Sequence, residues 1–231
     1  MATNPAFLKF AIEDCFLAFR KYFELTYALH AKVLEFYKDH KNSDLLREIK
    51  SLEMDSNSIY KRMIEEVAWN ISQHSPQADS LRFFLALLLS LKDVERFADY
   101  GYSIARIINK KNMDLFRVFG NFEVFQKMLF YVDSMWQRFL KGDGKVNARD
   151  FKFCENLKNE FVGLQKDSFS KITEFLTDFE VSDSNKDLSS FVHIVLVKIG
   201  RSVDHVFNVI ENFQQIRDPN AENAFILKEK E

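Results

Sequence analysis

The sequence contains few of the residues that interrupt regular structure. Only three prolines and six glycines occur among its 231 residues. A strand-rich domain needs a turn about every 8–12 residues, and turns draw heavily on these two residue types. The scarcity therefore excludes a protein built mainly from β-strands and favours long helices.

Cysteines and long apolar runs are also scarce. The two cysteines, Cys15 and Cys154, are too few for a secreted disulfide scaffold, so we expect reduced thiols on helix faces. The longest apolar run, Phe83 to Leu89, is far shorter than the roughly 18–20 residues of a membrane span. The first residues lack the basic segment and apolar stretch of a signal peptide. We therefore expect a cytoplasmic protein without a membrane span.

Neither sign of charge dominates. The chain has 32 basic and 34 acidic residues, and its formal net charge is −2. Because no basic surplus is available to neutralise phosphates, nucleic acid is not the expected main partner.

Apolar residues recur at alternating steps of four and three, which indicates amphipathic helices. Breaks at residues 42–44, 75–76 and 142–144 separate the periodic segments. Helices of about 30 residues, each about 45 Å long, must lie antiparallel when short loops join them. The predicted fold is all-α, with two tandem three-helix bundles. The expected helices run from Leu8 to Phe36, Leu45 to Ser75, Ala78 to Asn109, Met113 to Leu140, Asn147 to Asp178 and Asp187 to Arg217.

The two halves of the chain repeat a pattern. Residues 94–99 align with residues 199–204, which lie 105 positions later. The pair Glu53 and Asn57 has a counterpart 102 positions later, in Glu155 and Asn159. Duplication explains both matches better than chance does. It predicts one bundle in residues 1–110 and a second in residues 111–231.

Oxygen-bearing side chains spaced by four lie one turn apart on one helix face. Glu95 and Asp99 form such a pair, and packing against Glu53 and Asn57 would bring four oxygen donors together. Oxygen ligands suit magnesium or manganese and can also hold iron or zinc. The alternative is a solvated charged face whose ion pairs contribute little to stability.

No catalytic constellation is evident. A ferritin-type di-iron centre needs Glu-x-x-His pairs, and none of the five histidines has a glutamate three residues earlier. A Gly-rich phosphate loop, a nucleophile elbow and a zinc-ligand cluster are missing as well. We therefore do not expect an enzyme, although a metal store or metalloenzyme that uses the acidic pairs stays open.

Two motifs carry a family resemblance. Residues 75–82 and 93–99 resemble the signature of the PhoU family of phosphate-uptake regulators. Arg201, Asp204 and His205, followed by Asn208 and Glu211, resemble its second copy. The resemblance implies a cytoplasmic, usually dimeric adaptor that restrains phosphate uptake. Its implied partners are the ATPase subunit of the phosphate ABC transporter and, where present, a phosphate-sensing histidine kinase. An accessory to a different phosphate carrier is also compatible.

The resemblance also implies metal clusters, which some family members bind through such acidic pairs. The expected ligands are Glu53, Asn57, Glu95 and Asp99 (the first acidic site) and Glu155, Asn159 and Asp204 (the second acidic site). This chain departs from the family pattern at Ser80, at both asparagines and at Gly200, which stands where the second site should have a glutamate. We therefore expect the first site to bind metal more tightly.

Overall fold

The computed structural model describes residues 5–111, 123–178 and 183–217. Regular structure in these ranges is helical throughout, without a strand. The helices are α1 (Pro5–Lys38), α2 (Ser43–His74), α3 (Ala78–Lys111), α4 (Glu123–Lys141), α5 (Ala148–Asp178) and α6 (Asp183–Arg217). The predicted start of the fourth helix, Met113, lies outside the described residues. The sixth helix begins four residues earlier than the predicted Asp187.

The helix ends follow from local side-chain chemistry. The Asn42 side chain accepts a hydrogen bond from the Leu45 amide at 3.1 Å, which caps α2. Asn147 caps α5 in the same way, through the Asp150 amide at 2.9 Å. Ser75 ends α2 in a left-handed conformation, with φ of 41°, directly before Pro76.

The six helices form two groups of three. Helices α1, α2 and α3 pack against one another, as do α4, α5 and α6. The two groups meet mainly along α3 and α6, which run antiparallel. The predicted all-α fold of two three-helix bundles is therefore confirmed. The predicted division of the chain near residue 110 lies beside residues 112–122, which the structure does not describe.

Aromatic side chains join the two bundles into one core. Phe23 of α1 stacks on Trp136 of α4, with ring centroids 3.7 Å apart, and on Phe97 of α3 at 5.8 Å. Phe19 contacts both Trp136 and Phe213 of α6. Such pairs add about 0.5–1.5 kcal/mol each to the free energy gained from burial. The bundles are therefore not independent.

Helices α1 and α3 approach closely at Gly101. A Cβ atom there would lie 2.5 Å from Leu29 Cδ2 and 3.0 Å from His30 Nε2. The fully buried His30 ring stacks on Phe97 and donates a hydrogen bond from Nε2 to the Phe97 carbonyl at 2.8 Å. Burial lowers the pKa of His30 to about 4, which keeps the ring neutral.

Both cysteines are buried, unpaired thiols on helix faces. Burial raises the pKa of Cys15 and of Cys154 to about 12, so neither is a reactive thiolate near neutral pH. No described helix combines the length and the apolar character that a membrane span requires.

Candidate functional site

The first acidic site lies between α2 and α3. Asn57 donates a hydrogen bond from Nδ2 to Glu53 Oε1 at 2.7 Å on α2. Burial raises the pKa of Asp99 on α3, and the charges of Glu95 and Glu53 raise it further. The three carboxylates are therefore within electrostatic range of one another, on facing helices.

Two cations partly neutralise these carboxylates. Lys92 Nζ lies 2.6 Å from Glu95 Oε2, and an Arg96 guanidinium nitrogen lies 3.4 Å from Asp99 Oδ2. The Glu95 side chain is largely buried, whereas those of Lys92 and Arg96 are about half exposed. Both ion pairs therefore lie at the edge of the site, where solvent reaches the cations.

A buried phenol lies beneath the site. The Tyr22 hydroxyl is hydrogen-bonded to Ser56 Oγ at 3.1 Å. Burial is the main reason why the pKa of Tyr22 is raised, and the charges of Glu95 and Asp99 add to it. Tyr22 therefore stays neutral beneath the carboxylates.

The described residues do not form a preassembled metal centre. Within residues 5–111, 123–178 and 183–217, no three or more His, Cys, Asp or Glu side chains lie in an arrangement that could hold an ion. The carboxylates of the first acidic site contact Asn57, Lys92 and Arg96 instead. A bound cation would have to displace Lys92 and Arg96 from these carboxylates.

The second acidic site has different surroundings. Lys158 Nζ and an Arg201 nitrogen each lie 3.7 Å from an Asp204 carboxylate oxygen. Glu155 pairs with Lys152 at 2.5 Å, and Asn159 is exposed. No contact joins Glu155 or Asn159 to Asp204 among the described interactions. Glu155 is therefore paired with one cation and Asp204 with two.

The helix caps set the correspondence between the two halves. Asn147 lies 105 positions after Asn42, the same interval that separates Asp204 from Asp99. At this interval Lys158 corresponds to Glu53, and each lies close to the matching aspartate. The offset of 102 inferred from Glu155 and Asn159 is three residues, or nearly one helical turn, shorter than this interval between the helix caps. A lysine in the second bundle takes the place of a carboxylate in the first.

The space at Gly200 is filled from α5. Gln165 donates a hydrogen bond from Nε2 to the Leu196 carbonyl at 2.8 Å. A Cβ atom on Gly200 would lie 2.3 Å from that nitrogen. Gly200 therefore lacks the carboxylate that its counterpart Glu95 carries in the first bundle. Its missing side chain also leaves room for the Gln165 amide from the neighbouring helix.

A polar network between the bundles was not predicted from the sequence. Asp93 Oδ1 accepts hydrogen bonds from His205 Nδ1 at 2.8 Å and from Asn208 Nδ2 at 3.0 Å. Its second oxygen accepts one from Asn212 Nδ2 at 3.2 Å. The three donors are spaced by three and four residues on α6, so they share one helix face. The spacing of the three donors could have indicated a polar helix face, but it does not identify Asp93 as the acceptor.

The same position in the other half carries different chemistry. Lys198 and Tyr100 lie 105 positions from Asp93 and His205 respectively. Lys198 Nζ lies 5.3 Å from the centre of the Tyr100 ring, which also stacks on His205. The same two helix positions are therefore paired at both ends of the contact between α3 and α6, although the residue types differ.

The fold is similar to that of the PhoU regulatory proteins. The crystal structure of the phosphate transport system regulatory protein PhoU from Streptococcus pneumoniae is similar, with a TM-score of 0.76 and 16% identity. The match covers 92% of this chain and 97% of that one. PhoU from Pseudomonas aeruginosa gives 0.72 and 16%, covering 90% and 97%.

Sequence comparisons agree with the fold. Residues 19–108 match the family model of the PhoU domain. A phosphate-specific transport system accessory protein PhoU homolog from Deinococcus radiodurans is 25% identical over 176 residues, which are 75% of this chain and 77% of that protein. An uncharacterized protein from Mycoplasma genitalium is 23% identical over 185 residues, covering 79% and 80%. The resemblance to the PhoU family is confirmed by the match of residues 19–108 to the PhoU domain and by a fold similar to that of PhoU proteins.

Proposed function

We propose that this protein regulates phosphate uptake as a non-catalytic adaptor in the cytoplasm. The observation that carries the proposal is a PhoU domain in residues 19–108 within a chain that has the complete fold of two PhoU regulators. The chain also extends over most of a curated PhoU homolog.

The adaptor acts by contact with the ATPase subunit of the phosphate ABC transporter and restrains transport. Where a phosphate-sensing histidine kinase is present, the same protein restrains its signalling. A regulator of this kind needs only two states that differ in affinity for the partner. Its working form is a homodimer.

Exposed apolar side chains on the two central helices support contact with a protein partner. Leu89 of α3 is 53% exposed and Ile194 of α6 is 46% exposed. They lie 105 positions apart, so they occupy the same place in each half. Leu85 and Val197 are exposed on the same helices. An exposed apolar pair at equivalent places, with two more exposed apolar side chains on the same helices, suits an interaction surface better than a solvated one.

Co-purification tests the adaptor function. The tagged protein is recovered from cells grown in high and in low phosphate, and the transporter ATPase is quantified in each. We expect more ATPase in high phosphate, and less when Leu89→Glu introduces a charge on the outer face of α3. Leu17→Glu is the matched control, because Leu17 is equally exposed but lies on α1. Equal recovery of the ATPase from both media would show a constant scaffold instead of a phosphate-dependent regulator. No recovery of the ATPase from either medium would refute the adaptor function.

We also propose that the first acidic site binds a divalent or iron-type cation, such as magnesium, manganese, iron or zinc. Its three carboxylates and one amide are suitable donors, and the neighbouring cations are about half exposed to solvent. The second site fits a cation poorly, because Lys158 already lies beside Asp204 and Gly200 supplies no oxygen.

Metal titration tests the difference between the sites. Calorimetry with Mn²⁺ should give weaker binding for Glu95→Ala and unchanged binding for Asp204→Ala. Equal losses from both variants, or no binding by the wild type, would remove the metal proposal. Phosphatase and ferroxidase assays on the same preparations test the rival function of a metalloenzyme, and we expect no turnover.

A different phosphate carrier as the partner is the remaining alternative. The genes beside this one distinguish it from the ABC transporter. Transporter ATPase and permease genes would support the first partner, whereas a carrier of another type would support the second.

A further inference from the structure

A groove on the first bundle has a strongly basic lining. It lies between α2 and α3, near the C-terminal end of α3, and encloses about 480 Å³. Its charged lining residues are Lys50, Arg106 and Lys110, and no acid lines it. Tyr102, Ser103 and Asn109 add hydroxyl and amide donors.

The three cations have no anionic partner within the described ranges. None of them forms an ion pair there, whereas Lys92 and Arg96 on the same helix are both paired with carboxylates. The Arg106 guanidinium lies over the Tyr102 ring, 5.8 Å from its centre, which restricts its orientation. Three like charges around one groove produce a positive potential that attracts an anion.

The fold itself does not require this basic lining. In the second half, Lys50 corresponds to Glu155 and Arg106 to Glu211, at the interval of 105. The counterparts of Leu46 and Tyr102 are Phe151 and Phe207, whose rings pack 5.5 Å apart. The equivalent position therefore has aromatic side chains in contact and acids in place of Lys50 and Arg106, while Gln215 stands in place of Lys110. The basic lining of the groove is therefore a feature of this chain's first half that the repeat does not impose.

We propose that this groove binds a small anion that carries more than one phosphate group. A guanidinium forms paired hydrogen bonds with phosphate oxygens, and ammonium groups add charge around them. The volume lies within the range of about 300–1,000 Å³ that is common for ligand sites and exceeds what a single phosphate needs. The inference does not rest on the regulatory function, since binding is a property of the purified chain alone.

Calorimetric titration with inorganic tripolyphosphate at physiological salt tests the site. We expect saturable binding with one site per chain, and at least about tenfold weaker binding by Arg106→Gln, the loss expected for one charge-assisted contact. Arg106→Lys keeps the charge but not the paired donors, so its affinity should lie between the two. Arg201→Gln is the matched control, because Arg201 is an exposed arginine on α6, and it should bind like the wild type.

Further titrations identify the source of the phosphates. If ATP binds more tightly than tripolyphosphate, the ligand is a nucleotide whose base contacts the groove. If the two bind equally, the ligand is the chain of phosphates alone. Either result supports the site. No saturable binding by the wild type would overturn the proposal. Equal weakening by Arg106→Gln and Arg201→Gln would also overturn it, because that is non-specific attraction to the surface. Circular dichroism of each variant checks that the helices are intact.

Discussion

Replacing Asp93 by asparagine tests how much the polar network between the bundles contributes to stability. The carboxylate accepts three hydrogen bonds from α6, at 2.8, 3.0 and 3.2 Å. An asparagine has one acceptor oxygen, and its amide group would face a donor. The variant therefore loses the charge at all three contacts and the acceptor at one or more of them.

The expected loss follows from these contacts. A hydrogen bond to a charged group contributes about 1.5–3 kcal/mol, compared with about 0.5–1.5 kcal/mol for a neutral pair. The Asp93 side chain is only 16% exposed and that of His205 is 21% exposed, so water replaces the lost partners poorly. At about 1 kcal/mol for each of three contacts, Asp93→Asn should lower the free energy of unfolding by about 3 kcal/mol.

Urea denaturation followed by circular dichroism measures the effect. For a slope of about 2–3 kcal/mol per molar urea, the midpoint should fall by roughly 1–1.5 M. Lys198→Met is the matched control at the equivalent place, where only an ammonium–ring contact is lost, and it should cost about 0.5–1 kcal/mol. The reasoning is refuted if Asp93→Asn costs less than about 0.5 kcal/mol, or no more than the control.

Two further predictions concern the contact between α1 and α3. The pKa of His30 is lowered from 6.5 to about 4 by burial, so only the unfolded chain takes up a proton between these values. The free energy of unfolding should therefore fall by about 3 kcal/mol as the pH falls from 6.5 to 4. Denaturation across this range should give a steeper decline for the wild type than for His30→Leu, and parallel curves would contradict the buried neutral ring. Gly101→Ala would place a methyl group 2.5 Å from Leu29 Cδ2, and the strain of about 1–3 kcal/mol outweighs the better helix propensity of about 1 kcal/mol. Gly163→Ala is its control, because a Cβ there meets nothing within 4 Å; it should raise the thermal midpoint, and an equal rise for Gly101→Ala would contradict the close approach.

The helices could be predicted because their signals are local. Asn42 and Asn147 cap the helices that follow them, and Ser75 ends a helix directly before a proline, as the sequence indicated. The long apolar seams gave the all-α class for the same reason. Each of these features depends on residues within about two turns of one another.

The surroundings of the acidic residues could not be predicted, because they depend on contacts between helices distant in the sequence. Lys158 lies beside Asp204 only in the packed bundle. The spacing of the acids paired Glu155 with Glu53, whereas the interval between the helix caps pairs Lys158 with Glu53. Gln165 fills the space at Gly200 from another helix, which no spacing rule indicates. The acceptor role of Asp93 depends in the same way on how α3 and α6 meet.

The regulatory function is tested most directly by phosphate uptake in cells that lack this protein. Initial uptake of radiolabelled phosphate is measured in phosphate-rich medium for the parent strain, the deletion strain and the deletion strain complemented with the wild-type gene. A regulator that restrains the transporter predicts faster uptake after deletion and a return to the parental rate on complementation. The same initial rate in all three strains would contradict it.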